Sequence, residues 1–522
     1  MHKKALWIWP SLFVMLLFFA ILFQTKKVGF ESGHYGWVSS HCLAIAAKAT
    51  SENNWVGYAL KEYTASGEHQ YKYFDRYPVF FSVFLHQVLD FFPQDLGKQV
   101  YAARVVMNVI FILTILFFFL SLNLLLQDVS LSLAAVLLAF SGGLFMFYKD
   151  MIHYDQPALL GISIMLYFIT RFELKKPHRW LYFVAPVCVC LGRGYAGLSL
   201  LGLWFIISAI LLFRNQSFSL ASVGKMINLY PLKVFVLSVG VLASALSFNI
   251  ATEMNVRNVS YKETSIVISA NKRLGLDASF DKDYKDWLSP LNVLKLSAER
   301  IYTNLFPEVL ASKIDTTVSK LKTIMHSTFS SLILLRLVVL CFLLPILYFG
   351  SLRLFNYRKP SERLIIGLFA LPGLWLILIK RLFVFHDYTT MYHAGFHVLF
   401  MCILLLGIKD NLRKWALPIC FLIFVSSLYT VGNKHNDNLE VFNRVTTDFN
   451  EVQRKLNETN QDVYIDGGRT NFIPGAPFAL GFYLPQQWLS ARPQARFALT
   501  YNPIFGNENL TPNNKYVFLF RQ

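Results

Sequence analysis

Ten consecutive residues, Tyr148-Lys-Asp-Met-Ile-His-Tyr-Asp-Gln-Pro157, bring Lys149, Asp150, His153 and Asp155 together between two apolar runs, 131–147 and 158–170. Ammonium, imidazole and carboxylate groups at this density suit proton transfer and the binding of an anion. Each flanking run is about long enough to cross a bilayer. The polar stretch is therefore expected at a membrane surface, where titratable groups are hydrated and can face a reaction. Lys149 and His153 would also serve as simple headgroup anchors at helix ends. Three other polar segments favour chemistry instead: Glu31-Ser-Gly-His34-Tyr-Gly-Trp37 with His41, Tyr71-Lys-Tyr-Phe-Asp75-Arg76-Tyr77-Pro78, and Lys380-Arg381-Leu-Phe-Val-Phe-His386-Asp387-Tyr388.

The elements that position these groups follow from composition and pattern. A chain of 522 residues that is 55% hydrophobic and 16% aromatic is expected to be an all-α polytopic membrane protein. Apolar windows predict eleven spans, at about 5–24, 102–124, 129–147, 157–172, 180–194, 196–213, 232–251, 329–353, 363–382, 391–408 and 414–432. The first resembles a signal peptide but lacks a small-residue cleavage site, so it reads as a retained helix. The short connections at 171–179, 214–233, 353–363 and 409–414 carry surplus Lys and Arg, which with the N-terminal lysines puts them on the cytoplasmic side. All four polar segments then share the outer side, along with 25–101, 253–328 and the tail. The first outer loop should carry interfacial helices, at 38–48 and 77–92. The chain divides into a transmembrane domain, 1–432, and a small extracytoplasmic α/β appendage, 433–522. In that appendage Val463-Tyr-Ile-Asp466 and Tyr516-Val-Phe-Leu-Phe520 read as strands and 436–456 as an amphipathic helix. The predicted location is the cytoplasmic membrane, with the N-terminus inside and the C-terminus outside.

The formal net charge of +18 is scattered over short loops and helix ends, a pattern that suits anionic headgroups and phosphates and argues against nucleic acid. Five of six cysteines fall in apolar runs, against a disulfide framework or a cysteine-based zinc site.

Four features in this layout resemble the C-type superfamily of membrane glycosyltransferases, which includes protein mannosyltransferases and aminoarabinose transferases. Asp155-Gln-Pro157 is similar to the acid-Pro motif that opens the family's fourth helix, with one residue inserted. Tyr77-Pro78 resembles its Pro-containing turn, and Leu191-Gly-Arg-Gly-Tyr-Ala-Gly197 its Gly-rich reversal between the fifth and sixth helices. His34 stands where many members have their first acid. The resemblance covers roughly residues 1–213, and the rest by topology alone. It implies an enzyme that moves a sugar from a polyprenyl-phosphate donor to a lipid, glycan or protein acceptor in contact with membrane lipids.

Such a donor has a leaving group of low pKa, so its cleavage needs cations on the phosphate more than a protonated acid. Arg76, Lys149, Arg193, Lys380 and Arg381 are the candidate phosphate partners. His34 and Asp155 are the candidate catalytic bases, with Glu31 and Asp75 in reserve. His41, Tyr77, His153, His386, Asp387 and Tyr388 complete the expected substrate-binding set. No residue pattern calls for a particular cofactor. A divalent metal ion would find plausible ligands in His34, His41, Asp75, His153 and Asp155, although no tight ligand spacing argues for one. A transporter or flippase of lipid-linked sugars is disfavoured because the ionisable groups lie in outer loops and the halves show no repeat. A polysaccharide polymerase or ligase is disfavoured because 253–328 lacks evident paired arginines.

Overall fold

The computed structural model describes residues 5–23, 34–50, 56–63, 69–73, 76–92, 96–175, 180–214, 220–274, 276–277, 285–286, 288–310, 344–354, 360–370, 386–435, 463–465, 489–490, 497–500 and 517–520. Those residues are mostly helical. In chain order the helices are α1 (Ala5–Leu22), α2 (His34–Ala47), α3 (Phe80–Asp90), α4 (Leu96–Leu126), α5 (Val129–Phe140), α6 (Gly143–Phe147), α7 (Asp155–Glu173), α8 (Leu181–Cys190), α9 (Gly194–Arg214), α10 (Leu220–Ile227), α11 (Tyr230–Arg257) and α12 (Ser265–Leu274). Then come α13 (Pro290–Leu305), α14 (Leu344–Leu354), α15 (Pro360–Ala370), α16 (Ala394–Gly407) and α17 (Ala416–His435). A 3₁₀ turn, Asp387–His393, leads directly into α16.

Each of the eleven apolar windows coincides, in whole or part, with a described helix. Five described stretches are long and apolar enough to cross a membrane: Gly97–Leu126, Gly194–Arg214, Tyr230–Arg257, Tyr388–Gly407 and Ala416–His435. Others are shorter, such as α8. The window at 129–147 is broken at Ser141-Gly142, where Gly142 leaves helical geometry and divides α5 from α6. At that break the Asn304 carbonyl lies 2.3 Å from where a Cβ on Gly142 would sit, so only glycine lets the C-terminal end of α13 dock there. The docking is completed by Glu308 N–H donating to the Ser141 carbonyl at 2.8 Å and Leu144 N–H to Asn304 Oδ1 at 3.0 Å.

Helix α7 is the hub, packing against α4, α8 and α9. Asp155 sits in its first turn and Arg171 in its last, each suited to the helix dipole, and Pro157 falls in the first turn, where its missing N–H has no intrahelical partner to lose. Its buried stripe includes Leu159, Ile162, Met165, Leu166 and Ile169.

The segment between α1 and α4 holds the two expected helices, α2 and α3, and also a hairpin that the sequence pattern did not announce. Strand β1 (Tyr58–Tyr63) pairs antiparallel with β2 (His69–Tyr73), with Tyr58 opposite Tyr73. Further strands are β3 (Val463–Ile465), β4 (Leu489–Ser490), β5 (Phe497–Thr500) and β6 (Val517–Phe520). All six form one sheet in the order β2-β1-β4-β3-β5-β6. β3 and β6 fall within the two β patterns read in the tail. The stretch 436–456 lies outside the described residues.

Candidate active site

The start of α7 and the reversal between α8 and α9 meet because of glycine. A Cβ on Gly192 would lie 2.2 Å from the Tyr154 carbonyl and 2.8 Å from the Ala158 nitrogen. The bare backbone therefore presses onto the first turn of α7 and carries Arg193 to Asp155, with Arg193 Nε 2.9 Å from Asp155 Oδ1. Tyr392, in the turn before α16, donates its hydroxyl to the same oxygen. His153 Nδ1 meets Asp155 Oδ2. The outer ends of Arg193 go to tyrosines: Nη2 donates to Tyr388 at 3.0 Å and Nη1 to Tyr195 at 3.1 Å. The guanidinium also lies over the rings of Tyr77, at 5.3 Å, and Tyr388, at 5.1 Å.

Asp155, His153, Arg193, Tyr77, Tyr388 and Tyr392 are all buried. Burial alone would raise the Asp155 carboxyl, but Arg193 and then His153 outweigh it and hold the group below the usual carboxylate range. Asp155 thus sits in a closed polar knot, rather than open at a hydrated surface as expected from its place between two apolar runs. The reason is tertiary: α7, the α8–α9 reversal and the turn before α16 converge on it.

The knot is fixed from outside as well. Asn249 on α11 donates to the Tyr77 carbonyl at 2.7 Å, and the Tyr77 ring packs tilted against that of Tyr154, centroids 4.6 Å apart. Gln156 donates to the Tyr148 carbonyl at 2.7 Å and to Met391 Sδ at 3.3 Å, while Ile152 N–H donates to Ser39 Oγ of α2 at 3.2 Å.

Of the residues expected at the site, Tyr77, His153, Asp155, Arg193 and Tyr388 come together. His386 stands at the edge, half-buried, its ring 5.1 Å from Tyr388. Arg76 is half-buried and adjoins Tyr77 in the chain. Lys149 was expected to be open to a phosphate but is fully buried, 3.1 Å from Asp150 and 3.2 Å from Asn108 Oδ1 on α4, which makes it a partner of these two groups inside the fold. His41 is buried on α2. His34 opens α2 and Asp387 opens the 3₁₀ turn, with nothing further described of either side chain. Glu31, Asp75, Lys380 and Arg381 lie outside the described residues. Among the described residues no three His, Cys, Asp or Glu groups gather as a metal site would require. Tyr392, Tyr195 and Asn249 were not anticipated. The one available signal was the spacing of Tyr388 and Tyr392, a single helical turn beside the His386-Asp387 segment.

No family model matches the chain, and no curated protein matches it by sequence. Its fold is nevertheless shared with solved membrane glycosyltransferases, and five of its described stretches are long and apolar enough to cross a membrane. Among solved structures it is similar to the aminoarabinose transferase ArnT from Cupriavidus metallidurans bound to undecaprenyl phosphate, at 11% identity and a TM-score of 0.55, over 92% of this chain and 85% of that one. It is also similar to the oligosaccharyltransferase of Archaeoglobus fulgidus, at 9% identity and a TM-score of 0.51, over 92% of this chain and 64% of that one.

Proposed function

We propose that the chain is a glycosyltransferase that moves a sugar from a polyprenyl-phosphate-linked donor to a lipid, glycan or protein acceptor at the outer face of the cytoplasmic membrane. The observation that carries this is the Asp155–Arg193 pair where α7 meets the α8–α9 reversal, enclosed by Tyr77, Tyr388 and Tyr392. A preorganised cation backed by a buried carboxylate suits a reaction in which negative charge grows on a departing phosphate. The fold shared with a transferase that binds undecaprenyl phosphate supports the same class of carrier.

In this mechanism the acceptor oxygen or nitrogen attacks the anomeric carbon as the bond to the phosphate oxygen breaks. The phosphate leaves as an anion facing Arg76 and the tyrosine-rich edge around Arg193. Asp155 holds Arg193 in one orientation and fixes the His153 ring. His34, where the family resemblance places an acid, takes the acceptor proton.

The test uses protein purified in lipid and a panel of undecaprenyl-phosphate-linked radiolabelled sugars. Arg193→Lys keeps the charge but loses the planar fork that reaches Asp155, Tyr195 and Tyr388 together. Transfer should fall by about 10²-fold, the scale of losing one preorganised charge contact. Transfer at the unmodified rate would remove Arg193 from the mechanism.

A further inference from the structure

The segment between α1 and α4 and the C-terminal strands are far apart in the chain but form one sheet. β1 pairs in parallel with β4, Glu62 opposite Leu489, and β4 pairs with β3, Val463 opposite Leu489. β3 and β5 then pair in parallel and β5 and β6 antiparallel. The β1–β2 hairpin is joined to the rest of the sheet through β1 alone. A two-stranded hairpin by itself is marginal in water, and a third and fourth strand are what make such a sheet persist. Unpaired, β1 would also present an open edge.

What the hairpin delivers gives this pairing its consequence. β2 ends at Tyr73, and Arg76 and Tyr77 follow within four residues. The Tyr77 carbonyl is held by Asn249 of α11, and its ring covers Arg193. The short segment carrying Arg76 is thus pinned at one end by the sheet and at the other by α11. β1 also lies against α2 and β2 against α11, so the sheet rests on the helices that surround the site.

We propose that the C-terminal strands are a positioning element for the lipid-phosphate site: through the β1–β4 pairing they hold the hairpin that sets Arg76. Leu489 and Glu62 are positioning residues, and neither is assigned a contact with substrate. The inference rests on the role given to Arg76 in the proposed function and goes beyond it by giving the C-terminal strands a part in donor binding.

The experiment measures binding of undecaprenyl phosphate to the full chain in lipid nanodiscs. Leu489→Pro puts a residue with no N–H and a fixed φ at the β1–β4 pairing, in the middle of the sheet, and Glu62→Pro does so on the facing strand. Each should weaken binding about tenfold, the scale of releasing one or two ordered backbone residues. Leu489→Val, which keeps strand propensity, should bind as the unmodified chain does. In an Arg76→Ala background either proline should add less than about twofold, because residues acting through one contact are not additive. Unchanged binding in both proline variants overturns the proposal. So does a full tenfold loss that persists in the Arg76→Ala background, or a loss that Leu489→Val shares. Failure of the unmodified chain to bind undecaprenyl phosphate would count against the proposed function itself. Binding by the unmodified chain with none lost on Leu489→Pro and Glu62→Pro would count against this inference alone.

Discussion

Asp155 faces three partners at once: a guanidinium and a phenol on one carboxylate oxygen, and an imidazole on the other. A buried carboxylate of this kind holds its partners in place more than it adds net stability, and removing one member leaves the others uncompensated. Asp155→Asn should therefore lower unfolding stability by about 3–5 kcal/mol in a thermal or denaturant assay in lipid, because it strands the Arg193 charge. Replacing both members, Asp155→Leu with Arg193→Met, should recover most of that loss while leaving sugar transfer abolished. A double variant as unstable as Asp155→Asn alone would show that the pair matters for folding in some further way. Tyr392→Phe deletes one hydrogen bond to a charged group and should cost about 1.5–3 kcal/mol on the same assay. Stability equal to that of the unmodified chain would mean that Tyr392 is not bound to Asp155 in solution.

At the scale of elements, the decisive contact is the α8–α9 reversal against the first turn of α7. Gly192 is in contact with the backbone there, so Gly192→Ala must push the reversal away from Tyr154 and Ala158. Transfer should drop by about 10-fold or more, since shifts of an ångström in a positioned group have large kinetic costs. Activity equal to wild type in Gly192→Ala would show that the reversal tolerates a larger gap. Much of this arrangement was legible. The Gly-rich run 191–197 and the polar stretch 148–157 both interrupt long apolar sequence, and a charge or glycine amid apolar residues is a strong local signal. Tyr392 left only the one-turn spacing from Tyr388 as a signal, and an aromatic residue at the head of an apolar helix also suits an interfacial anchor. Lys149 was misleading for a related reason: pattern shows that a cation sits at the end of an apolar run, but not that Asn108 on another helix will bury it. The β1–β4 pairing left no trace in local sequence, since parallel pairing between distant short strands has no period or turn to mark it.

The described residues form a helical body with several membrane-length helices and a sheet contributed by both the segment between α1 and α4 and the C-terminal strands. If the charge bias sets orientation, a reporter fused after Leu456 should register outside the cytoplasm and one placed between Arg353 and Arg363 inside it. Reversed signals would put the Asp155–Arg193 site on the cytoplasmic side and remove the case for chemistry at the outer face. The apolar, multi-helix body is compatible with carrying a lipid-linked sugar as well as with cleaving it, so the fate of the donor decides between the two. The direct measurement is made on purified protein in sealed vesicles containing undecaprenyl-phosphate-linked radiolabelled sugars and a mixed pool of lipid, glycan and peptide acceptors. Our account predicts that undecaprenyl phosphate is released in step with label entering an acceptor, and that Arg193→Lys slows both together. Intact donor crossing the bilayer with no bond cleaved, at a rate indifferent to Arg193, would contradict it.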